Sequence, residues 1–223
     1  MTIKLFIQAI TKFLFGFILI GLLIFLPAGT LSFFNGWLFM AILFVPMFLA
    51  GIVMMFKNPD LLKSRLNAKE KQQEQSLVVK LSGLMFLSGF IVAGLGVRFH
   101  WYVLPIGAVV GAAVVFLVAY ILYAEVLREN TYLSRTIEVQ ENQKVIDTGL
   151  YGIVRHPMYA TTLLLFLSMP IVLGSVYAFL IFLVYPFIIA KRIKHEEKFL
   201  EEELDGYREY KQKVKYRLIP FIW

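Results

Sequence analysis

The residues whose types could do chemistry crowd into one stretch, from Gln143 to Glu197. Arg155-His156-Pro157-Met158-Tyr159 stands at the start of an apolar run, with Tyr151 just upstream. Arg192 and Glu196 follow a second apolar run. Pro157 suits the first turn of a helix, where its missing N–H costs nothing. The free backbone N–H groups of that turn suit an anion or a carboxylate. Arg192 and Glu196 are four residues apart and share a helix face. A carboxylate and a guanidinium on one face, with tyrosines and an imidazole nearby, can bind a charged small molecule, orient it or move a proton. Taken singly, each has an ordinary explanation. Arg155 reads as a cation snorkelling at a membrane interface. Arg192 with Glu196 reads as a surface ion pair worth about 0.3–0.5 kcal/mol. Tyr151 and Tyr159 read as interfacial aromatics, and Gly149 as turn chemistry. His195, Glu197, Glu201, Glu202 and Glu203 read as a solvated face.

Two apolar arms must bring these groups together, Tyr159 to Leu173 and Val176 to Ala190, with Gly174-Ser175 at the tip. A hairpin of this kind returns both polar ends to the same membrane surface. Each arm is about 22 Å long as a helix, short of a hydrocarbon core about 30 Å thick. The rest of the chain is apolar enough to supply a membrane: 59% of the 223 residues are hydrophobic, where a soluble domain is nearer half. No polar stretch is long enough to bury a core of its own. The sequence therefore predicts an all-α, polytopic transmembrane bundle of about six segments.

In order, the first span runs roughly from Phe13 to Phe34, interrupted by Pro27 and Gly29, and Asn35-Gly36 makes a tight turn. The second runs from Trp37 to Phe56. Asn58-Pro59-Asp60 reads as a helix start, and Leu61 to Gln75 as a short helix on the membrane surface. The third span is Leu81 to Val97, followed by an interfacial turn at Arg98-Phe99-His100-Trp101. The fourth is Tyr102 to Tyr123, whose Gly107 and Gly111 fit small-residue helix packing. Glu125 and Arg128 end it at the interface. Beyond the hairpin, Lys191 to Leu204 continues the last helix until Asp205-Gly206 stops it. Tyr207 to Val214 forms another short helix, and Leu218 to Trp223 is apolar enough to dock back.

Charge orients the spans. With the N-terminus inside and six crossings, 21 of the 22 Lys and Arg fall on inner segments and only Arg98 lies outside. That asymmetry places both termini and the polar site on the cytoplasmic side. It accounts for the net charge of +7 without nucleic acid, and a basic inner face attracts anionic headgroups. Cysteine is absent, which excludes disulfides, a thiol nucleophile and thiolate ligands. With three His in the chain and none at ligand spacing, no metal site is expected. No phosphate-binding glycine loop or internal repeat occurs.

As a set, the residues resemble a known family. The run Val145-Ile146-Asp147-Thr148-Gly149-Leu150-Tyr151, continued by Arg155-His156-Pro157-Met158-Tyr159, is similar to the isoprenylcysteine carboxyl methyltransferase family. So is Arg192-Ile193-Lys194-His195-Glu196-Glu197, followed by Tyr207, Tyr210 and Arg217-Leu218-Ile219-Pro220. The resemblance covers about the last 100 residues. Its motifs run G-x-Y, R-H-P-x-Y, hairpin, R-x-x-x-E-E; the first four spans carry none. Phospholipid N-methyltransferases and a methanethiol S-methyltransferase look similar in the same region.

The resemblance implies S-adenosylmethionine as methyl donor and a lipophilic acceptor. Carried over by position, Gln143, Lys144, Val145 and Ile146 line the adenosine side. Tyr151, His156, Pro157, Met158 and Tyr159 hold the cofactor, Glu196 faces its amino acid end, and Arg192 binds an acidic substrate group. The chain is then one integral membrane domain. Residues 1–123 form a four-span anchoring bundle; residues 124–223 form the catalytic region, with the hairpin at 159–190 and a cytoplasmic tail. A carboxylate acceptor is the first expectation, a phospholipid amine or small thiol the second. A nicotinamide-dependent sterol-type reductase has a similar hairpin but more spans. A transporter would put ionisable groups in mid-span, and these spans have none there.

Overall fold

A computed structural model describes residues 3–66, 73–133 and 139–223. Nine helices are described: α1 Ile3–Ala28, α2 Phe34–Lys57, α3 Pro59–Leu66, α4 Gln73–Arg98, α5 Ile106–Glu129, α6 Pro157–Val172, α7 Val176–Phe182, α8 Tyr185–Glu203 and α9 Tyr207–Lys213. A single 3₁₀ turn, Gly149–Gly152, lies between α5 and α6. No named strand occurs among the described residues. α1, α2, α4 (from Ser76) and α5 are each long and apolar enough to cross a membrane, as is the run Val176–Glu203 that joins α7 and α8, and α6 is a shorter apolar helix. The chain is an all-α polytopic bundle, as its apolar runs predict.

The bundle is a set of hairpins whose tips meet at one end. At that end the Leu104 N–H donates to the Gly174 carbonyl at 2.9 Å, and Val103 pairs with Ser175 as an isolated antiparallel bridge. Gly29 ends α1 with φ +68, a conformation that favours glycine. A Cβ there would lie 2.6 Å from Arg98 Nη2. At the opposite end, Lys12 Nζ donates to the Leu66 carbonyl at 2.5 Å, and Arg65 donates to the Tyr123 hydroxyl. Between the ends lies an aromatic core. Phe39, Phe116 and Phe182 are fully buried, and Phe90 packs against both Phe39 and Phe182. α5 runs along α6, α1 along α4, and α4 against α7.

Several local expectations are corrected. The first helix begins at Ile3, ten residues before the expected Phe13. Its early turns are covered by Leu5, which packs with Met55 and Leu62. Asn35-Gly36 is not the turn; both lie in the first turn of α2. Gly36 is there for close approach, since a Cβ would stand 2.8 Å from the Phe33 ring. The reversal instead uses Gly29 to Phe33. Helix α3 starts as expected, with Asn58 Oδ1 accepting the Leu61 N–H at 3.1 Å and Pro59 in first position. Its described part runs to Leu66, and residues 67–72 of the expected surface helix lie outside the described residues. Gly107 and Gly111 face open space rather than a neighbouring helix.

The second arm of the C-terminal hairpin is in two pieces, not one. Ser175 caps α7 by accepting the Ala178 N–H at 3.2 Å. The helix then tightens at Leu183-Val184 before α8 begins. Pro186 removes the N–H that would have continued the ladder. Helix α8 runs on past the apolar region to Glu203, and Gly206, at φ +81, turns the chain into α9. The tail docks in part: Leu218 is buried, while Phe221 and Ile222 are exposed.

Candidate active site

Helix α8 carries two stripes spaced by four residues. Ile189, Ile193 and Glu197 form the buried one. Arg192, Glu196 and Leu200 form the neighbouring one, and these three line a pocket. Glu197 therefore corrects the expectation of a solvated face: only 2% of it is exposed. Its Oε1 accepts from Arg155 Nε at 2.7 Å, and its Oε2 accepts from Arg217 Nε at 2.8 Å. His156 Nε2 lies 3.3 Å from Oε1. Arg155 does not snorkel either. Its Nη1 donates to the carbonyls of Val214 at 2.7 Å and Lys215 at 2.8 Å. The backbone completes the join: Arg155 N–H donates to the Tyr216 carbonyl and His156 N–H to the Arg217 carbonyl, each at 2.9 Å. Residues 214–217 thus strap the start of α6 to α8 around one buried carboxylate. Removing one partner of such a group leaves an uncompensated buried charge. Glu202 and Glu203 are exposed as expected, while Glu201 pairs with Lys211.

Beside this network lies a half-open pocket. One wall is α6 and α8. Tyr159 Oη donates to Glu196 Oε2 and accepts from Arg192 Nε at 2.9 Å. The tyrosine thus spans the pair that sequence spacing alone puts on one helix face. The His156 ring stacks on Tyr159 with centroids 5.7 Å apart. The other wall is the segment before α6. Gln143, Lys144, Val145 and Ile146 line it, together with Tyr151 and Met158. Pro157 is not among the lining residues; it starts α6 and so fixes the bend that presents His156 and Met158.

Tyr151 is held from three sides. Gly149 takes φ +51, and Leu150 N–H donates to Glu129 Oε2 at 3.0 Å. Asn130 Nδ2 donates to the Tyr151 hydroxyl at 3.1 Å. Tyr210 Oη donates to the Tyr151 carbonyl at 2.8 Å. Burial raises the pKa of both the Tyr151 and the Tyr210 phenols, keeping them protonated. Sequence spacing alone gave no role to Arg155, Tyr207 and Tyr210, which also line the pocket. Tyr207 and Tyr210 reach it because α9 folds back onto Val145 and Leu200. Tyr207 is buried, and its hydroxyl has no hydrogen-bond partner among the described residues.

The arrangement offers a carboxylate, a guanidinium and protonated phenols around a half-open cavity at one end of an apolar bundle. It can hold a small zwitterionic or cationic ligand against a second reactant. No group of three or more acidic or His residues suited to a metal occurs among the described residues. A family model described as phospholipid methyltransferase matches residues 103–205. That interval runs from the Val103 bridge at the tips to the end of α8. It contains the strap's Arg155 and Glu197 and every expected site residue, but not α9 or residues 214–217. No curated protein matches the chain. The family match supports methyl transfer at a membrane as the general reaction.

Proposed function

We propose that the chain moves a methyl group from S-adenosylmethionine to a lipophilic acceptor, in the first instance a carboxylate as in prenylcysteine carboxyl O-methylation. The observation that carries this reading is the meeting of Arg192, Glu196 and the Tyr159 hydroxyl in one pocket with Gln143 to Ile146 and Tyr151. The donor set fits such a cofactor, which supplies an electrophilic methyl on a cationic sulfur. Glu196 takes its charged amino acid end, and Tyr151 and Tyr159 present ring faces to positive charge. Gln143, Lys144, Val145 and Ile146 line the adenosine side, with His156 and Met158 beside them. Arg192 holds one oxygen of the acceptor carboxylate and leaves the other free to attack. A carboxylate acceptor needs no general base, and an in-line displacement needs no enzyme nucleophile, so a chain without Cys suffices. Holding two reactants in line is worth several kcal/mol.

A phospholipid amine is the second acceptor, favoured by the family match over residues 103–205. An amine must lose a proton, and Glu196 or His156 would take it. In either case residues 1–123 anchor the site and line the acceptor's path, so its tail stays in lipid. Residues 124–223 carry the site. The charge split supports a cytoplasmic pocket with both termini on that side. Reporter fusions after Trp223 and within 57–80 should both read cytoplasmic; an external signal at either overturns the six-crossing topology.

The decisive experiment combines calorimetric binding of S-adenosylhomocysteine with radiolabelled methyl transfer to lipid extracts. Wild type should bind the homocysteine product and label a lipid or lipidated acid or amine. Glu196→Gln should weaken that binding, and turnover should fall with it. A reductase would instead be stabilised by NADPH and not by S-adenosylhomocysteine, which would overturn the methyltransferase reading.

A further inference from the structure

Two tyrosines on α9 point into the same corner of the molecule, and only one is satisfied. Tyr210 donates to the Tyr151 carbonyl at 2.8 Å. Tyr207, three residues earlier, is 4% exposed, and its hydroxyl has no partner among the described residues. Its ring is fixed rather than loose. It packs at 5.7 Å from the Tyr210 ring, in a cluster with Leu204 and Val214 that also meets Val145 and Leu200. Buried polar groups are almost always paired, and phenylalanine would fill this place without an orphaned hydroxyl. Tyr207 lines the pocket described above, so its partner is to be sought in what the pocket holds.

The surroundings say what kind of atom that is. Burial, then the Glu197 and Glu196 carboxylates, raise the Tyr207 pKa well above the ordinary phenol value. The group therefore stays protonated and offers an O–H, while the Arg155 guanidinium is close enough to oppose that shift. Glu197 is already matched by Arg155 and Arg217, and an ammonium at Glu196 would offset the second carboxylate, which leaves the O–H to donate to an acceptor oxygen of the ligand. The pocket's own carboxylate, Glu196, stands on the same side. An amino acid whose ammonium meets Glu196 carries its carboxylate two bonds away from that nitrogen.

We propose that Tyr207 is a ligand-binding residue that donates its hydroxyl to the carboxylate of the cofactor's amino acid end, while Glu196 takes the ammonium. The two form a clamp for a zwitterion. The inference rests on the S-adenosylmethionine reading and adds to it a residue outside the interval matched by the family model.

The test compares two probes on full-length protein in detergent: S-adenosylhomocysteine, and 5′-methylthioadenosine, which keeps the adenosine and sulfur but lacks the amino acid. Tyr207→Phe should weaken S-adenosylhomocysteine about tenfold and leave methylthioadenosine within twofold. Its melting temperature without ligand should equal or exceed wild type, because no internal hydrogen bond is lost. Unchanged S-adenosylhomocysteine affinity would overturn the proposal. So would equal losses for both probes, which would put the contact on the adenosine or the fold. Normal methylthioadenosine binding by the variant reports that its pocket is intact. If wild type binds neither probe, the cofactor reading itself fails and the clamp with it.

Discussion

The two ends of this bundle are closed by opposite chemistry. At the end where the hairpin tips meet, closure is by backbone and small residues. Leu104 N–H meets the Gly174 carbonyl, and Gly174, at φ +76, lets Asn35 and Val103 approach. Towards the core, buried phenylalanines take over. At the other end, one carboxylate gathers two arginines and a histidine inside the protein. Apolar packing can be shared among many contacts, each small. A buried ionic join cannot, because each member stays affordable only while its partners are present. The apolar end should therefore degrade gradually under substitution and the polar end abruptly.

The largest expected effect is at Glu197. Glu197→Ala strands Arg155 in the interior and should cost about 3–5 kcal/mol, measured by denaturant unfolding in detergent. A loss under about 1 kcal/mol would mean that the strap holds without its centre. Next is Arg192→Lys, which keeps the charge but loses the fork. Turnover should fall about a hundredfold, close to 2.7 kcal/mol, with S-adenosylhomocysteine affinity within twofold. Equal loss of both would make Arg192 a cofactor residue, acting with Glu196 as one unit through Tyr159. Third is Gly89→Ala in the apolar core, where a Cβ would collide with the fully buried Phe182 ring. Overpacking of this kind costs about 1–3 kcal/mol, less than Glu197→Ala; the reverse order would break the contrast. Last is Gly111→Ala, which meets nothing. Its unfolding free energy should stay within about 0.5 kcal/mol of wild type, and a larger loss would reveal a packed face.

How far the sequence could be read follows the same division. The apolar runs located the long apolar helices and the shorter α6, because hydrophobic length is a local property. Their ends were less legible. Asn35-Gly36 carries the usual marks of a turn, yet Gly36 serves helix packing against Phe25 and Phe33. The spacing of Arg192 and Glu196 correctly put them on one face, and the hairpin brought that face to Tyr159. Glu197 was misread because it sits in an acidic run. Its fourfold register with Ile189 and Ile193 was the available signal, and it pointed inward. Tyr207 and Arg217 entered only through the family resemblance, and their spacing gave no sign of their contacts. Their positions depend on a tail that returns across the fold, and no window of sequence contains both sides of that contact.

The strap also has a timetable. Residues 214 and 215 that receive the Arg155 guanidinium lie 59 and 60 positions after it. At about 5–20 residues per second of synthesis, they follow Arg155 by roughly 3–12 s. Glu197, 42 positions after Arg155, is made before them, but until residues 214 and 215 follow, the guanidinium lacks their carbonyls and the start of α6 has no strap. The apolar helices are made first and can settle in the bilayer while the pocket is still unfinished. Assembly is thus ordered: the apolar helices precede the finished strap by seconds.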